Sequence, residues 1–136
     1  MSAHEKYCFD RGGLIIQDDF NGVFWRNNAG ACYDDTGRLI RFGLGNDSEK
    51  LWKVYKSTDQ IFCIPLTIQP HHVGRTIGVF GAFEDKKRGW HLTPGDARGQ
   101  AQLAFLQQVQ GLGGIVGFIT EPEQVRTIIQ DYINGK

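Results

Sequence analysis

"RTIGVFGAFEDK" (residues 75–86) is the stretch on which the fold of this chain depends. Its apolar residues favour a buried strand, which ends abruptly in five charged residues, Glu84 to Arg88. Side chains two positions apart on a strand share a face at about 7 Å, so Glu84 and Lys86 point the same way and Asp85 points the other way. Because an unpaired charge is costly to bury, this strand end is either solvated or lines a site.

Further elements are predicted on both sides of this strand from apolar spacing and turn residues. They are, in chain order, a strand in "GVFWRNN" (22–28), a turn at "DDTG" (34–37), a strand "RLIRF" (38–42), a short helix in 46–57 with Asp47 or Ser48 as N-cap, a strand in 59–68 interrupted by Pro65, a helix in 96–114 with a glycine stop, a buried strand 115–120 and a helix 121–134. We expect the first two strands to form a hairpin whose loop lies around Ala29 to Gly37.

The order of these elements predicts an α/β fold with a central mixed β-sheet flanked by α-helices. The chain has 136 residues and is 40% hydrophobic, which suits one domain over residues 1–136. It has no apolar run of eighteen residues, so we expect no membrane span. The first thirteen residues lack the apolar stretch of a secretory signal, which favours a cytoplasmic protein.

The cysteines and histidines do not indicate a metal site. Cys8, Cys32 and Cys63 are far apart in the sequence and form no C-x-x-C pair, so we expect reduced thiols. The adjacent His71 and His72 would point to opposite faces of a strand, which makes zinc binding improbable.

Charge is unevenly distributed along the chain, although its formal net value is zero. The segment 38–99 is basic and the two flanking segments are acidic. A basic middle can form one positive face, but charge scattered over a solvated surface is the plainer interpretation.

Two glycine-rich stretches resemble nucleotide-binding loops without having their context. "GLGGIVG" (111–117) follows a predicted helix and opens a strand, the reverse of a dinucleotide loop, so a helix stop is favoured. "GLGNDS" (43–48) lacks the third glycine and is interpreted as a tight turn.

The charged strand end contains the residue types needed for phosphodiester hydrolysis. Asp59 begins another apolar strand, and two carboxylates from neighbouring strand ends, Asp59 and Glu84, can hold one Mg²⁺ with several waters. The backbone carbonyl of Asp85 would add a third protein oxygen. Lys86 could orient or help deprotonate a water and stabilise charge on an attacked phosphate.

Other polar residues near this strand are candidates for substrate contact. Lys87, Arg88 and Arg98 would bind phosphates. Gln102, one turn into the following helix, could bond a water or a carboxylate. The alternative for Gln102 is an ordinary surface glutamine, since that helix carries four others.

Four segments in this order resemble the virus-type replication-repair nucleases (VRR-NUC), a branch of the PD-(D/E)xK nuclease superfamily, and most closely their small stand-alone members from phages and prophages. The segments are "WRNNAGACYDDTGRLIRFGLGN" (25–46), "KSTDQIFCIPLTI" (56–68), "GVFGAFEDKKRGW" (78–90) and "AQLAFLQQVQGLGGIVGF" (101–118). The resemblance implies a restriction-endonuclease-like core and a Mg²⁺- or Mn²⁺-dependent DNA endonuclease. It also implies a homodimeric resolvase that cuts branched DNA such as four-way junctions.

The resemblance assigns roles to individual residues. Asp59 and Glu84 correspond to the metal-binding carboxylates, Lys86 to the catalytic lysine, and Gln102 to the glutamine on the helix after the active-site strand. Further positions, for DNA contact or site support, are Arg26, Asn27, Asn28, Lys56 and Ser57.

The chain also departs from the family pattern. Gln60 and Phe62 stand where many members have an apolar residue and a glycine, which could change the fit of the strand. Many members begin with a helix that supplies a further glutamate, whereas here the N-terminus is expected to be short and broken by Gly12 and Gly13, leaving only Glu5. Asp47, which also follows a glycine-rich turn, is an alternative to Asp59.

Two other functions remain open from the sequence. One is a DNA-structure binding module without catalysis, which the zero net charge and the altered "DQIF" segment allow. The other is an enzyme acting on a different phosphate substrate, such as RNA, or a nuclease that prefers flaps.

Overall fold

The computed structural model describes residues 1–136 as a mixed α/β protein made of two compact units, Met1–Ile64 and Pro65–Lys136. The elements are α1 (Ala3–Phe20), β1 (Val23–Arg26), β2 (Gly30–Tyr33), β3 (Leu39–Phe42), α2 (Glu49–Val54), β4 (Gln60–Cys63), a 3-10 helix (Pro70–His72), β5 (Gly81–Asp85), α3 (Ala97–Gly111), β6 (Ile115–Ile119) and α4 (Pro122–Ile133). None of the helices has the length and apolar content that a membrane span requires.

Helix α1 corrects the expectation of a short N-terminus broken by glycines. It runs through Gly12 and Gly13 without interruption and begins at a capping box, in which Ser2 and Glu5 bond each other's backbone N–H. Gly13 is buried, and a Cβ at this position would lie 2.2 Å from the ring of Phe24 on β1. Close packing of helix on strand therefore requires a glycine here and offsets its low helix propensity.

The strands of the N-terminal unit pair differently from the predicted hairpin. β1 pairs antiparallel with β4, with Trp25 opposite Ile61, whereas β3 pairs with β2, which lies inside the expected loop. The turn at "DDTG" is confirmed: Gly37 has a φ of +81°, and Gly37 N donates to Asp34 O. The turn signal was therefore correct, but the strand it follows is β2.

Helix α2 is confirmed with Ser48 as its N-cap, since the Ser48 hydroxyl accepts a hydrogen bond from Leu51 N at 3.1 Å. The preceding glycine-rich turn contains Asn46, a polar side chain only 4% exposed. Asn46 donates to the carbonyls of Gly30 and Phe42 and accepts from Arg41, so it fastens the turn to the β2–β3 hairpin.

The C-terminal unit is a β5–α3–β6 crossover followed by α4. β5 and β6 are parallel, with Glu84 opposite Phe118. Both helices pack on β6, and α3 also packs on β5. The buried apolar residues of the unit are Leu106, Val109 and Ile119, and α3 ends as expected before Gly113, which has a φ of +92°.

The six strands form three two-stranded sheets, which differs from the expected central sheet. β5 is also shorter than the predicted strand over residues 75–86, because it begins only at Gly81. Apolar alternation identifies a strand, but the partner depends on long-range packing that the local pattern does not encode.

Candidate functional site

Glu84 and Lys86 lie at the carboxyl end of β5, beside the parallel strand β6. The backbone N–H of Lys86 donates to Ile119 O at 2.7 Å, which continues the pairing one residue beyond β5. The carboxyl ends of parallel strands are where binding sites of open α/β sheets form. The E-x-K triplet therefore occupies the edge at which such chemistry is expected.

The ammonium of Lys86 connects the three candidate residues of this unit. Its Nζ donates a hydrogen bond of 2.6 Å to Gln102 Oε1 and lies 3.6 Å from Glu84 Oε1. The side chain of Lys86 is 14% exposed and that of Glu84 is 34% exposed. A cation in such a place needs its partners, because burial without them would be costly. The structure thus brings Glu84, Lys86 and Gln102 together, with Gln102 bonded to the lysine and not to a carboxylate.

Two aromatic rings that the sequence analysis did not assign to the site lie against the same ammonium. Lys86 Nζ is 5.0 Å from the ring centroid of Trp90 and 5.9 Å from that of Phe118. The two rings also pack on each other, with centroids 4.7 Å apart. Gly89 and Trp90 end the segment "GVFGAFEDKKRGW" (78–90), but only the fold shows that the tryptophan returns to the lysine.

Helix α3 places Gln102 through its N-terminal turn. Asp96 is the N-cap, and its carboxylate accepts a hydrogen bond from Gly99 N at 2.9 Å. Gly99 is buried, and a Cβ there would lie 2.7 Å from Leu92 Cδ1. The cap and the glycine let the first turn pack closely, which brings Gln102 in the second turn to Lys86.

A cavity of about 350 Å³ opens beside Glu84 and Gln102. Its wall is largely apolar, with three polar side chains. The lining residues are Ala82, Phe83, Glu84, Arg98, Ala101, Gln102, Phe105 and Leu106. Arg98, predicted to bind phosphate, thus lies at the same cavity as Glu84.

The other predicted phosphate-binding residues differ in their partners. Arg88 forms a two-pronged ion pair with Glu121, in which Nη2 lies 3.2 Å from Oε2. Its side chain is nevertheless largely exposed. Lys87 is exposed and forms no ion pair. Lys87 is therefore the more available cation, while Arg88 would have to share its guanidinium with Glu121.

Asp59 belongs to the N-terminal unit, where it directly precedes β4 and is exposed. Its surroundings are organised by Asn27, whose side chain donates to Ser57 Oγ at 2.8 Å and to Thr58 O at 2.9 Å. Asn27 N also donates to Asp59 O, and its side-chain oxygen accepts from Leu44 N. Of the two roles expected for Asn27, these bonds favour support of the Asp59 loop.

The remaining candidates of the N-terminal unit are exposed, except for one half-buried residue that bonds to Asn27. The guanidinium of Arg26 lies 4.3 Å from the ring centroid of Phe9. Arg26 is nevertheless exposed. Asn28 and Lys56 are exposed, and the half-buried Ser57 accepts the bond from Asn27. This unit therefore presents exposed polar groups at the end of β1 and on the segments after β1 and before β4.

Three sequence features of uncertain role have a structural explanation. Gln60 donates to Phe9 O at 3.3 Å, so this departure from the family pattern ties β4 to α1. Glu5 belongs to the α1 cap, and its hydrogen bonds to Ser2 lower the pKa of its carboxyl group. Asp47 is exposed in the turn before α2. Glu5 is thus occupied by helix capping.

The oxygen donors present fit a hard cation only in part. Neither unit gathers three or more His, Cys, Asp or Glu side chains into a metal-binding group. Mg²⁺ needs only one or two protein carboxylates, however, and keeps several waters. The Glu84 carboxylate accepts no hydrogen bond and has only the 3.6 Å ion pair with Lys86, and the Asp59 carboxylate has no hydrogen bond or ion pair. Both carboxylates thus have oxygens available.

Comparisons with known protein families, with curated proteins and with solved structures found no match to this chain. Function is therefore inferred from the geometry of the two units and from the order of the four sequence segments.

Proposed function

We propose that the protein is a Mg²⁺- or Mn²⁺-dependent DNA endonuclease with a restriction-endonuclease-like core. The observation that carries the proposal is the contact between Lys86, Glu84 and Gln102 at the carboxyl end of β5. A carboxylate, an ammonium and an amide are held together there on an edge suited to ligand binding. The fold is α/β, and its β5–α3–β6 crossover places this group at the end of a parallel strand pair; the restriction-endonuclease-like core is proposed from the order of the sequence segments.

Each residue of this group has a separate role in the proposal. Glu84 would hold the cation through its carboxylate, which lies 3.6 Å from the ammonium of Lys86. Lys86 stabilises negative charge that develops on the attacked phosphate and orients the attacking water. Gln102 holds the ammonium in place through the 2.6 Å hydrogen bond.

The metal ion would be held by Glu84 and the carbonyl of Asp85, with waters completing its shell. When bound, it would supply Lewis acidity to the phosphate and lower the pKa of a water. A further ligand role for Asp59 is proposed from the sequence alone. Within the N-terminal unit, Asn27 fixes the loop that carries Asp59.

We propose branched DNA as the substrate and a homodimer as the active form. A symmetric four-way junction needs two cuts, which two active sites related by a two-fold axis would provide. Lys87, Arg88 and Arg98 would contact phosphates near the cut, with Arg88 exchanging its partner Glu121 for DNA.

A panel of labelled substrates tests this function. The protein is incubated with a four-way junction, a 5′ flap and a linear duplex, in Mn²⁺, Mg²⁺ or EDTA, alongside Asp59→Ala, Glu84→Ala and Lys86→Ala. We expect paired symmetric nicks in the junction, and their loss in EDTA and in each variant. Cleavage of the flap or the duplex instead would support the nuclease activity and overturn the four-way junction as its substrate.

The alternative is a binding module on the same fold, and one observation favours it: no unit assembles three metal-binding side chains. The same panel distinguishes the two functions. If the protein shifts the junction band without cleaving the junction in either metal, the nuclease proposal is overturned and the binding module is supported.

A further inference from the structure

We propose that Trp90 is a positioning residue for Lys86. Its indole, together with the ring of Phe118, closes one side of the ammonium and keeps it directed at Gln102 and Glu84. The consequence for cleavage rests on the proposed nuclease function, whereas the consequence for the lysine side chain does not.

The distances around the ammonium support this role. Lys86 Nζ lies within about 6 Å of both ring centroids, the range in which a cation is attracted to an aromatic face. The two rings are tilted by 47° to each other, so they form an angled wall and not a flat surface. The hydrogen bond to Gln102 and the ion pair with Glu84 supply polar partners for the same ammonium.

A tight turn brings Trp90 back to the end of β5. Trp90 N donates to Lys87 O at 3.1 Å, which closes a four-residue turn, and Gly89 within it has a φ of +80°. Only glycine adopts this φ without strain at the third position of such a turn. The pair Gly89–Trp90 therefore has one physical explanation: the glycine reverses the chain and the tryptophan packs on the lysine.

The packing of the two rings restricts the conformations of the long, flexible Lys86 side chain. Its four-carbon stem has many rotamers, so two polar partners alone fix the ammonium poorly. The rings remove the rotamers that turn away from Gln102 without adding an acceptor that would compete with a phosphate. Trp90 touches neither phosphate nor metal in this scheme and acts through Lys86.

Two substitutions separate an aromatic requirement from simple packing. Trp90→Leu keeps an apolar side chain but removes the ring, and Trp90→Phe keeps a ring. We expect kcat for junction cleavage to fall by between about twofold and about thirtyfold in Trp90→Leu, as loss of a cation–π contact implies. KM should change little, because Lys87 and Arg98 still bind phosphate, and Trp90→Phe should recover most of kcat.

A measurement without substrate tests the positioning itself. In protein labelled with ¹³C at the lysine ε-carbon, the ring currents of Trp90 and Phe118 should shift the Lys86 resonance upfield, with Lys86→Arg identifying the signal. The shift should be lost in Trp90→Leu and kept in Trp90→Phe. Tyr132→Leu, which removes a ring from α4 of the same unit, is the matched control and should leave the shift in place.

The results overturn the two proposals separately. An unshifted Lys86 signal in the wild type, or a shift that survives Trp90→Leu, overturns the positioning role whatever the enzyme does. If the shift is lost in folded Trp90→Leu and the wild type cuts no DNA, the positioning role of Trp90 is supported and only the nuclease proposal is overturned. If Trp90→Leu fails to fold, Phe118→Leu on β6 provides the second test, with a reduced upfield shift expected and an unchanged one contradicting the proposal.

Discussion

Lys86 reaches Gln102 across the space between β5 and α3 with a side chain that is only 14% exposed. Strand alternation was enough to predict that Glu84 and Lys86 share a face, and the helix after the strand was enough to suggest Gln102. Trp90 could not be predicted in the same way, because its position depends on the φ of Gly89. Local patterns thus gave the polar members of the site and missed its aromatic side.

The bond between Lys86 and Gln102 leads to a prediction for stability. Gln102→Leu removes the acceptor and leaves a largely buried ammonium with fewer partners, so the free energy of unfolding should fall by about 1–3 kcal/mol. In the double variant Lys86→Met/Gln102→Leu the loss should be smaller than the sum of the two single losses. Urea unfolding measures the free energy of unfolding of each variant, with Gln107→Leu at an exposed position of α3 as the control. Additive losses in the double variant would contradict an interaction between Lys86 and Gln102.

At the scale of secondary structure, α1 shows how packing can override propensity. A glycine pair normally argues against a helix, and no sequence pattern indicated that Phe24 would occupy the space beside Gly13. The capping box of Ser2 and Glu5 was readable in principle as S-x-x-E at the start of the chain. The helices α2, α3 and α4 were predicted correctly because their caps and apolar spacing agree.

The two neighbouring glycines of α1 provide a matched pair of substitutions. Gly12→Ala should stabilise the protein by about 0.5–1 kcal/mol, because a Cβ there lies at an ordinary 3.4 Å from Gln60 Oε1 and alanine favours helix. Gly13→Ala should destabilise it by about 1–3 kcal/mol, because its Cβ would overlap the Phe24 ring. Thermal and urea unfolding compare them, and equal effects would show that α1 does not pack on β1 as described.

The β2–β3 hairpin has a pH dependence that can be predicted in sign. The pKa of Asp34 is lowered by its hydrogen bond from the Thr36 hydroxyl and by those from the backbone N–H groups of Arg38 and Thr36. Because the folded pKa lies below the unfolded value of about 3.9, this stabilisation is present above that pH and is lost as pH falls through the folded pKa.

The Asp34 effect is measured by unfolding at a series of pH values from about 5 to about 2. Asp34→Asn should make stability less dependent on pH in this window, since asparagine does not titrate. Asp35→Asn, which replaces a carboxylate that accepts none of these bonds, should leave the dependence in place. An unchanged profile in Asp34→Asn would mean that the turn does not hold the carboxylate in solution.

At the scale of the whole chain, the elements were more predictable than their pairing. Short runs such as "RLIRF" and "VFWR" predict strands. The pairing of β3 with β2, and not with β1, depends on the turn and on Asn46, whose burial no pattern indicated. The candidate site residues show the same limit. Glu84, Lys86 and Asp59 were proposed from their places at strand ends and Gln102 chiefly from the family resemblance, and no local pattern indicated that Glu84, Lys86 and Gln102 share one unit while Asp59 lies in the other.

The most direct test of the nuclease compares two adjacent carboxylates, Glu84 and Asp85, in single-turnover cleavage of a four-way junction with Mn²⁺. Glu84→Gln should reduce the rate by at least about 100-fold, because it removes the charge that binds the cation beside Lys86. Asp85→Asn should cut at nearly the wild-type rate, since only its backbone carbonyl is required. Equal activity in the two variants, or loss of activity only in Asp85→Asn, would contradict the assignment of Glu84 and Lys86 as the catalytic pair.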